Sequence, residues 1–195
     1  MPSRSSSRRS REKRVNKKDY FWKLGYLVIA GGVFMIDQVT KAWALRRLRF
    51  GDDISVIPGF LNFAYAQNTG VAFSMLDDHG DAGRWGLSVV AFVAAALVLY
   101  FFWRTPRSDD RILGALALLL AGIVGNVTDR TRLGFVVDFI DVQFGSWHYP
   151  TFNVADAAIC VGAGLMIIDL FLAKKNQAEQ SSLNTSHNES SAANN

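Results

Sequence analysis

Two aspartates stand where an ionised side chain is costly. Asp138 lies inside the apolar sequence Gly134-Phe-Val-Val-Asp-Phe-Ile-Asp141, and Asp156 opens a long apolar run after Phe152-Asn-Val-Ala. A carboxylate beside a hydrocarbon-length segment costs at least a few kcal/mol, which makes it a functional candidate by default. Two carboxylates near one another suit general acid/base work on water. They cannot both ionise easily, so one proton is shared: one group accepts a proton from water while the other donates.

Other polar residues keep them company. Asp37 and Lys41 are four apart in an apolar helix, so they share a face and can pair. An inward-facing couple that holds helices together is as good a reading of them as a catalytic role. Asn126, Asp129 and Arg130 repeat the spacing at the end of a later apolar run. Arg130 could pair with Asp129 or offer its planar donor fork to a carbonyl. Asn153-Val-Ala-Asp156 also reads as a capping box, with Asn at the N-cap and an acid three residues on. Asp138 has no such capping use. Asp141 is expected in solvent, and Asp169 near the far end of the last apolar run.

These residues are attached to a chain built for a bilayer. Of 195 residues 50% are hydrophobic and only 19% charged, below the ~25% of soluble domains. Apolar runs at about 24–45, 85–103, 112–128 and 154–173 are each near the length needed to cross the ~30 Å hydrocarbon core. The expected fold is all-α, four transmembrane helices with a small extramembrane β-sheet on the outer face. Residues 46–84 supply short β-like runs split by Pro58-Gly59, a turn at Asn68-Thr-Gly70 and a solvated loop at Asp77–Asp81. Residues 21–175 form one membrane domain, between tails at 1–20 and 176–195 whose polar composition predicts disorder. Ala42-Trp43-Ala44 resembles a signal-peptide cleavage site, but it follows an acid and a base rather than a clean apolar stretch.

Charge gives an orientation and excludes some classes. Residues 1–23 carry nine Lys/Arg against Glu12 and Asp19, while the whole chain is only +4, so the body is net acidic. A basic tail beside an apolar span sets orientation or meets anionic lipid, and the body has no basic stripe for nucleic acid. Four spans put both termini on one side. Basic residues at the N-terminus, at 104–111 and at Lys174-Lys175 place that side in the cytoplasm, against the contrary Arg46, Arg47 and Arg49. Residues 46–84 and 131–152, and with them both aspartates, then share the outer face. One cysteine, Cys160, and three scattered histidines make no metal cluster, and Cys160 reads as a small buried hydrophobe. Two function classes remain from the residues: an intramembrane aspartyl hydrolase, and a small proton-coupled carrier. A carrier calls for mid-bilayer charges and an internal repeat, whereas these charges cluster at the outer ends.

Five segments in order carry a resemblance: Asp37-Gln-Val-Thr-Lys41, Asn68-Thr-Gly-Val-Ala-Phe-Ser74, Gly125-Asn-Val-Thr-Asp-Arg130, Val137-Asp-Phe-Ile140 and Phe152-Asn-Val-Ala-Asp156. Over about 34–166 the chain resembles the bacterial lipoprotein signal peptidases (signal peptidase II). The resemblance implies an aspartyl endopeptidase of the inner membrane that removes the signal peptide of a prolipoprotein just before its diacylglyceryl-modified cysteine. It implies Asp138 and Asp156 as the catalytic pair and Asn68, Asn126, Arg130 and Asn153 along the substrate site. Asp37, Lys41 and Asp129 would support them. No metal or other cofactor is implied, nor an obligate protein partner; the partners would be the lipid-modified substrate and membrane lipids. Ala157 stands where many relatives have Ser, and the two tails lie outside the pattern.

Overall fold

The computed structural model describes residues 17–70 and 80–193. Its elements in chain order are α1 (Lys17–Arg47), β1 (Ile54–Ile57), β2 (Leu61–Asn68), α2 (Gly80–Arg104), α3 (Asp110–Leu133), β3 (Val136–Phe144), β4 (Trp147–His148) and α4 (Val154–Ala193). All four helices are long and apolar enough to cross a membrane. α3 is the central one: half of its apolar window is buried by protein, against 11–22% for the other three. The rest of their surface is Val, Leu, Ile and Phe left bare, as lipid-facing surface should be. Ala30, Phe102, Leu113, Leu116, Ala117 and Ala121 form the core where α1, α2 and α3 meet.

The strands form one antiparallel sheet in the order β1-β2-β3-β4. A second core ties it to α1: Ala44, Leu48, Val137 and Phe139 are buried together, with Trp43 edge-on to Phe63 at 5.4 Å and to Phe139 at 6.2 Å. Ala44, inside the cleavage-like tripeptide, is thus a packed core position of a continuous helix.

Several expectations need correction. α2 begins at Gly80, so the expected loop at Asp77–Asp81 ends inside a helix, and its residues 77–79 lie outside those described. α3 runs one turn past 128, which puts Asn126, Asp129 and Arg130 on one helix. α4 continues to Ala193, where the Ser/Asn-rich composition predicts disorder. Once a long apolar span has formed the helix nucleus, each further residue needs only propagation, which polar chain can sustain. Residues 1–16 of the expected basic tail lie outside the described residues. Cys160 is exposed, not buried, because α4 flanks the bundle and its outward face meets hydrocarbon.

Candidate active site

Three local devices bring the polar residues together. The first is the end of α3. Gly134 takes a left-handed conformation (φ 89°) and its N–H bonds Arg130 O at 3.1 Å, which stops the helix and throws the chain directly into β3. A residue with a Cβ is strained there, so the turn requires glycine. Asp129 fixes the exit by accepting Val137 N–H at 3.1 Å.

The second is an irregularity in β2. Asn62 lies opposite Asp141, but the register shifts between Phe63 and Ala66, after which Ala66 lies opposite Asp138 and Asn68 opposite Val136. An extra residue in one strand moves everything beyond it to the other face. Asn68 thereby comes to the face of Asp138, and its Nδ2 donates to Asp138 Oδ2 at 3.0 Å. Its own Oδ1 accepts Gly70 N–H at 3.0 Å, which fixes the amide's orientation.

The third device is the start of α4. Phe152 bridges to Ile140 of β3, with Ile140 N–H donating to Phe152 O at 2.8 Å and Phe152 N–H to Ile140 O at 3.1 Å. Asn153 and Asp156 then form the reciprocal cap: Asp156 N–H to Asn153 Oδ1 at 2.9 Å, and Asn153 N–H to Asp156 Oδ2 at 3.2 Å. The capping reading and the active-site reading of Asp156 are therefore one geometry. The cap leaves Oδ1 to face Asn126.

Two carboxamides connect the two candidate carboxylates. Asn153 Nδ2 donates to Asp138 Oδ1 at 2.7 Å and lies 3.2 Å from Asn126 Oδ1. Asn126 Nδ2 donates to Asp156 Oδ1 at 2.7 Å. Behind them lies Lys41, only 2% exposed, whose Nζ reaches Asn126 Oδ1 at 2.9 Å, Asp37 Oδ2 at 2.9 Å and Asp129 Oδ2 at 3.1 Å. Asp37 Oδ1 in turn accepts Ala155 N–H at 2.9 Å, in the first turn of α4. Gln38 Nε2 spans Asp37 Oδ2, Gly125 O and Asp129 Oδ1 at 3.1–3.3 Å. Gly125 is forced: a Cβ there would stand 2.6 Å from Asp37 Oδ2.

The Asp37–Lys41 couple thus holds helices together and also orients a site amide. The pairing of Arg130 with Asp129 is not realised. Adjacent helix positions do not face each other, and Asp129 turns to Lys41. Arg130 lies in the electrostatic reach of Asp156 and Asp138, and among the described residues its buried Nε has no hydrogen-bond partner. A buried unpaired donor is costly, and at a cleft it marks a place for an acceptor from outside.

Electrostatics sets Asp138 apart from an ordinary carboxylate. Burial, and then the charge of Asp156, push it from 3.8 up to about 6, against the opposing Asn68 and Asn153 donors and the Lys41 charge. For this raised acid, the stabilising effect of binding its proton is complete below about pH 4 and is lost as pH rises through about 6.

The other two aspartates lie elsewhere. Asp141 is 9% exposed rather than in solvent, because its strand lies between β2 and β4. It accepts from Asn62 Nδ2 at 3.3 Å and faces His148 Nδ1 at 2.9 Å. Asp169 pairs with Arg111 at 3.2 Å, about 20 Å along α4 from Asp156. Gln38 and Gly125 belong to the cluster, although the sequence reading quotes them within motifs without giving either a role. The available signal is a second polar residue beside Asp37 in an apolar span. Among the described residues no three His, Cys, Asp or Glu side chains converge as a metal site, and the Lys41 ammonium fills the space between Asp37 and Asp129.

Known proteins share this arrangement of sequence and fold. The sequence model of the Signal peptidase (SPase) II family matches residues 18–172, a span that takes in every residue of the cluster. A lipoprotein signal peptidase from Pseudomonas fluorescens is 44% identical over 161 residues, covering 82% of this chain and 95% of its own length. One from Vibrio cholerae serotype O1 is 41% identical over 160 residues, 81% of this chain and 93% of its own. A bacterial membrane enzyme solved by the in meso method at 2.3 Å resolution has a TM-score of 0.69 at 35% identity, over 78% of this chain and 90% of that one. Four apolar spans, their capping sheet and these matches lead to one assignment: the chain belongs to the signal peptidase II family.

Proposed function

We propose that this peptidase removes the signal peptide of diacylglyceryl-modified prolipoproteins by cutting before the lipidated cysteine, with Asp138 and Asp156 as its catalytic pair. The observation that carries the reading is the amide bridge: two carboxylates, one on β3 and one on α4, joined through Asn153 and Asn126 rather than by a cation. Amides orient carboxylates without neutralising them, so the pair retains one proton. Asp138, with its raised affinity, is the holder. Asp156, steadied by its cap and by Asn126, is the partner assigned to activate water.

The chemistry follows from that division. Ionised Asp156 takes a proton from a water as its oxygen attacks the scissile carbonyl carbon. Protonated Asp138 donates to the carbonyl oxygen, giving a neutral gem-diol. The proton on Asp156 then passes to the leaving amine, the C–N bond breaks, and one diol proton returns to Asp138. Arg130 offers its buried Nε, which has no partner among the described residues, to a neighbouring substrate carbonyl.

The chain would lie in the inner membrane with both termini in the cytoplasm and the sheet on the outer face, where the substrate's lipid anchor brings the bond to water. Reporters fused in the 104–111 turn and after Lys175 should read cytoplasm, and one at Asp78 the outer side. The decisive assay is conversion of a diacylated prolipoprotein by the purified chain in detergent, with and without a chelator. Cleavage before the modified cysteine, indifferent to chelation, is expected. Failure to cleave, or cleavage only with added metal, would sink the reading.

A further inference from the structure

Arg84, on the second turn of α2, takes no part in the network around the aspartates. Its side chain nevertheless reaches across to the end of α3. Nε donates to Arg130 O at 2.9 Å and Nη2 to Thr131 O, while the guanidinium lies 5.1 Å from the Trp85 ring centroid. It also lies across the left-handed turn: a Cβ built on Gly134 would be 3.7–3.8 Å from Arg84 Nη1, Cδ and Cζ.

The contact falls at a telling place. The last carbonyls of a helix have no intrahelical donors and carry the negative end of its dipole. Arg84 supplies the donor for Thr131 O and adds a second one to Arg130 O, which Gly134 N–H already bonds, at the turn that carries Asp129 and Arg130 and feeds the chain toward Asp138. The end of α2 is held by the same device, with Lys23 of α1 meeting Phe102 O at 3.1 Å and Trp103 O at 2.8 Å, but no active-site residue lies on that turn. At α3 the capped carbonyl belongs to Arg130 itself, whose Nε is buried and has no hydrogen-bond partner among the described residues.

We infer that Arg84 is a positioning residue. By gripping the backbone of Arg130 and Thr131 from a separate helix, it sets the angle at which the Arg130 side chain meets the substrate. The inference rests on the proposed role of Arg130 as a donor to a substrate carbonyl. Arg84 also joins the start of α2 to this turn, so the position of α2 and the reach of Arg130 are linked.

A double-mutant cycle tests it, with turnover of a diacylated prolipoprotein measured for the detergent-purified full chain. Arg84→Met should reduce kcat/KM roughly three- to thirtyfold in the otherwise native chain, and less than about threefold when Arg130 is already Lys. In an Asp141→Asn background the full loss should persist, since Asp141 takes no part in the cluster. The alkaline limb of the pH profile, set by Asp138, should stay in place. Arg84→Lys keeps the charge but not the fork, so it should lose less and in the same direction.

Equal losses in all three backgrounds, or a shifted pH limb, would make Arg84 a structural cap only. If Arg84→Met fails to fold, a folded Arg84→Lys with full turnover leads to the same conclusion. A native chain that cleaves normally beside an equally active Arg84→Met overturns this inference alone. A native chain that cleaves nothing overturns the proposed function, and this inference with it.

Discussion

Four carboxylates crowd one end of the bundle, and they are held in two different ways. Asp37 and Asp129 share a single ammonium, Lys41, at 2.9 and 3.1 Å. Asp138 and Asp156 instead receive amide donors, from Asn68 and Asn153 on one side and Asn126 on the other. The ammonium ties both inner carboxylates to one cation, so that pair serves as scaffold. The amides orient without supplying a counter-charge, which suits the outer pair to the proton exchange proposed for it. Asn126 joins the two layers by accepting from Lys41 and donating to Asp156. The type of donor, more than the number of carboxylates, separates the scaffold acids from the pair proposed to exchange protons.

The sharpest way to break this comparison is to remove proton exchange from the outer pair. Asp138→Asn and Asp156→Asn keep the shape and should each lower turnover by at least about a hundred- to ten-thousandfold, in protein that still folds and inserts. A near-native rate for either would end the assignment. The next largest effect is expected from the inner layer. Lys41→Met leaves Asp37 and Asp129 buried without their cation and should destabilise by about 3–5 kcal/mol, read as a lowered melting temperature in detergent. Unchanged melting would mean the layer is not held by that charge.

Arg130 belongs to neither layer. Arg130→Lys replaces the fork with a point charge and should slow turnover about ten- to a hundredfold, the effect of one lost charge-assisted bond. Its pH profile should keep its shape, and an optimum displaced by a unit or more would mean that Arg130 tunes the aspartates instead. Asn68→Ala makes a subtler distinction. Its donor favours ionised Asp138, so without it the proton is held more tightly and the alkaline limb of kcat/KM should move upward from about 6. A downward shift would contradict the orienting role. Least of all should Asp141→Asn matter: turnover within about twofold of native is expected, because its partners Asn62 and His148 lie outside the cluster.

Much of this is readable in the residues. The spans follow from hydropathy, and the key aspartates announce themselves by the cost of their surroundings. The capping box at Asn153–Asp156 is local in sequence and legible as such. Partnerships between distant elements are not. Asp129 and Lys41 are on different helices, and adjacency points to Arg130 instead. Asp141 looks solvated because nothing near it in sequence foretells Asn62 across the sheet. The displaced register that brings Asn68 to Asp138 is a single extra residue in β2, invisible in alternating hydrophobicity. Arg84 reads as one more cation at a loop edge, since its acceptors are backbone carbonyls on another helix.

Asn126 also constrains how this protein can change over generations. Its oxygen is taken by Lys41 and Asn153 and its nitrogen by Asp156, so neither half of the amide can be exchanged for the other. An aspartate there would turn a donor into a repelling charge beside Asp156, and a leucine would leave Lys41 and Asp156 each short of a partner. Each of these replacements breaks at least one of the bonds, so a change at Asn126 calls for matching changes at its partners. The bare hydrocarbon-facing positions, such as Val89, Val90, Ile167 and Leu170, carry no such bond and can drift among apolar residues. Heritable variation is therefore channelled to the bundle's outer skin, while the cluster changes as a unit or not at all.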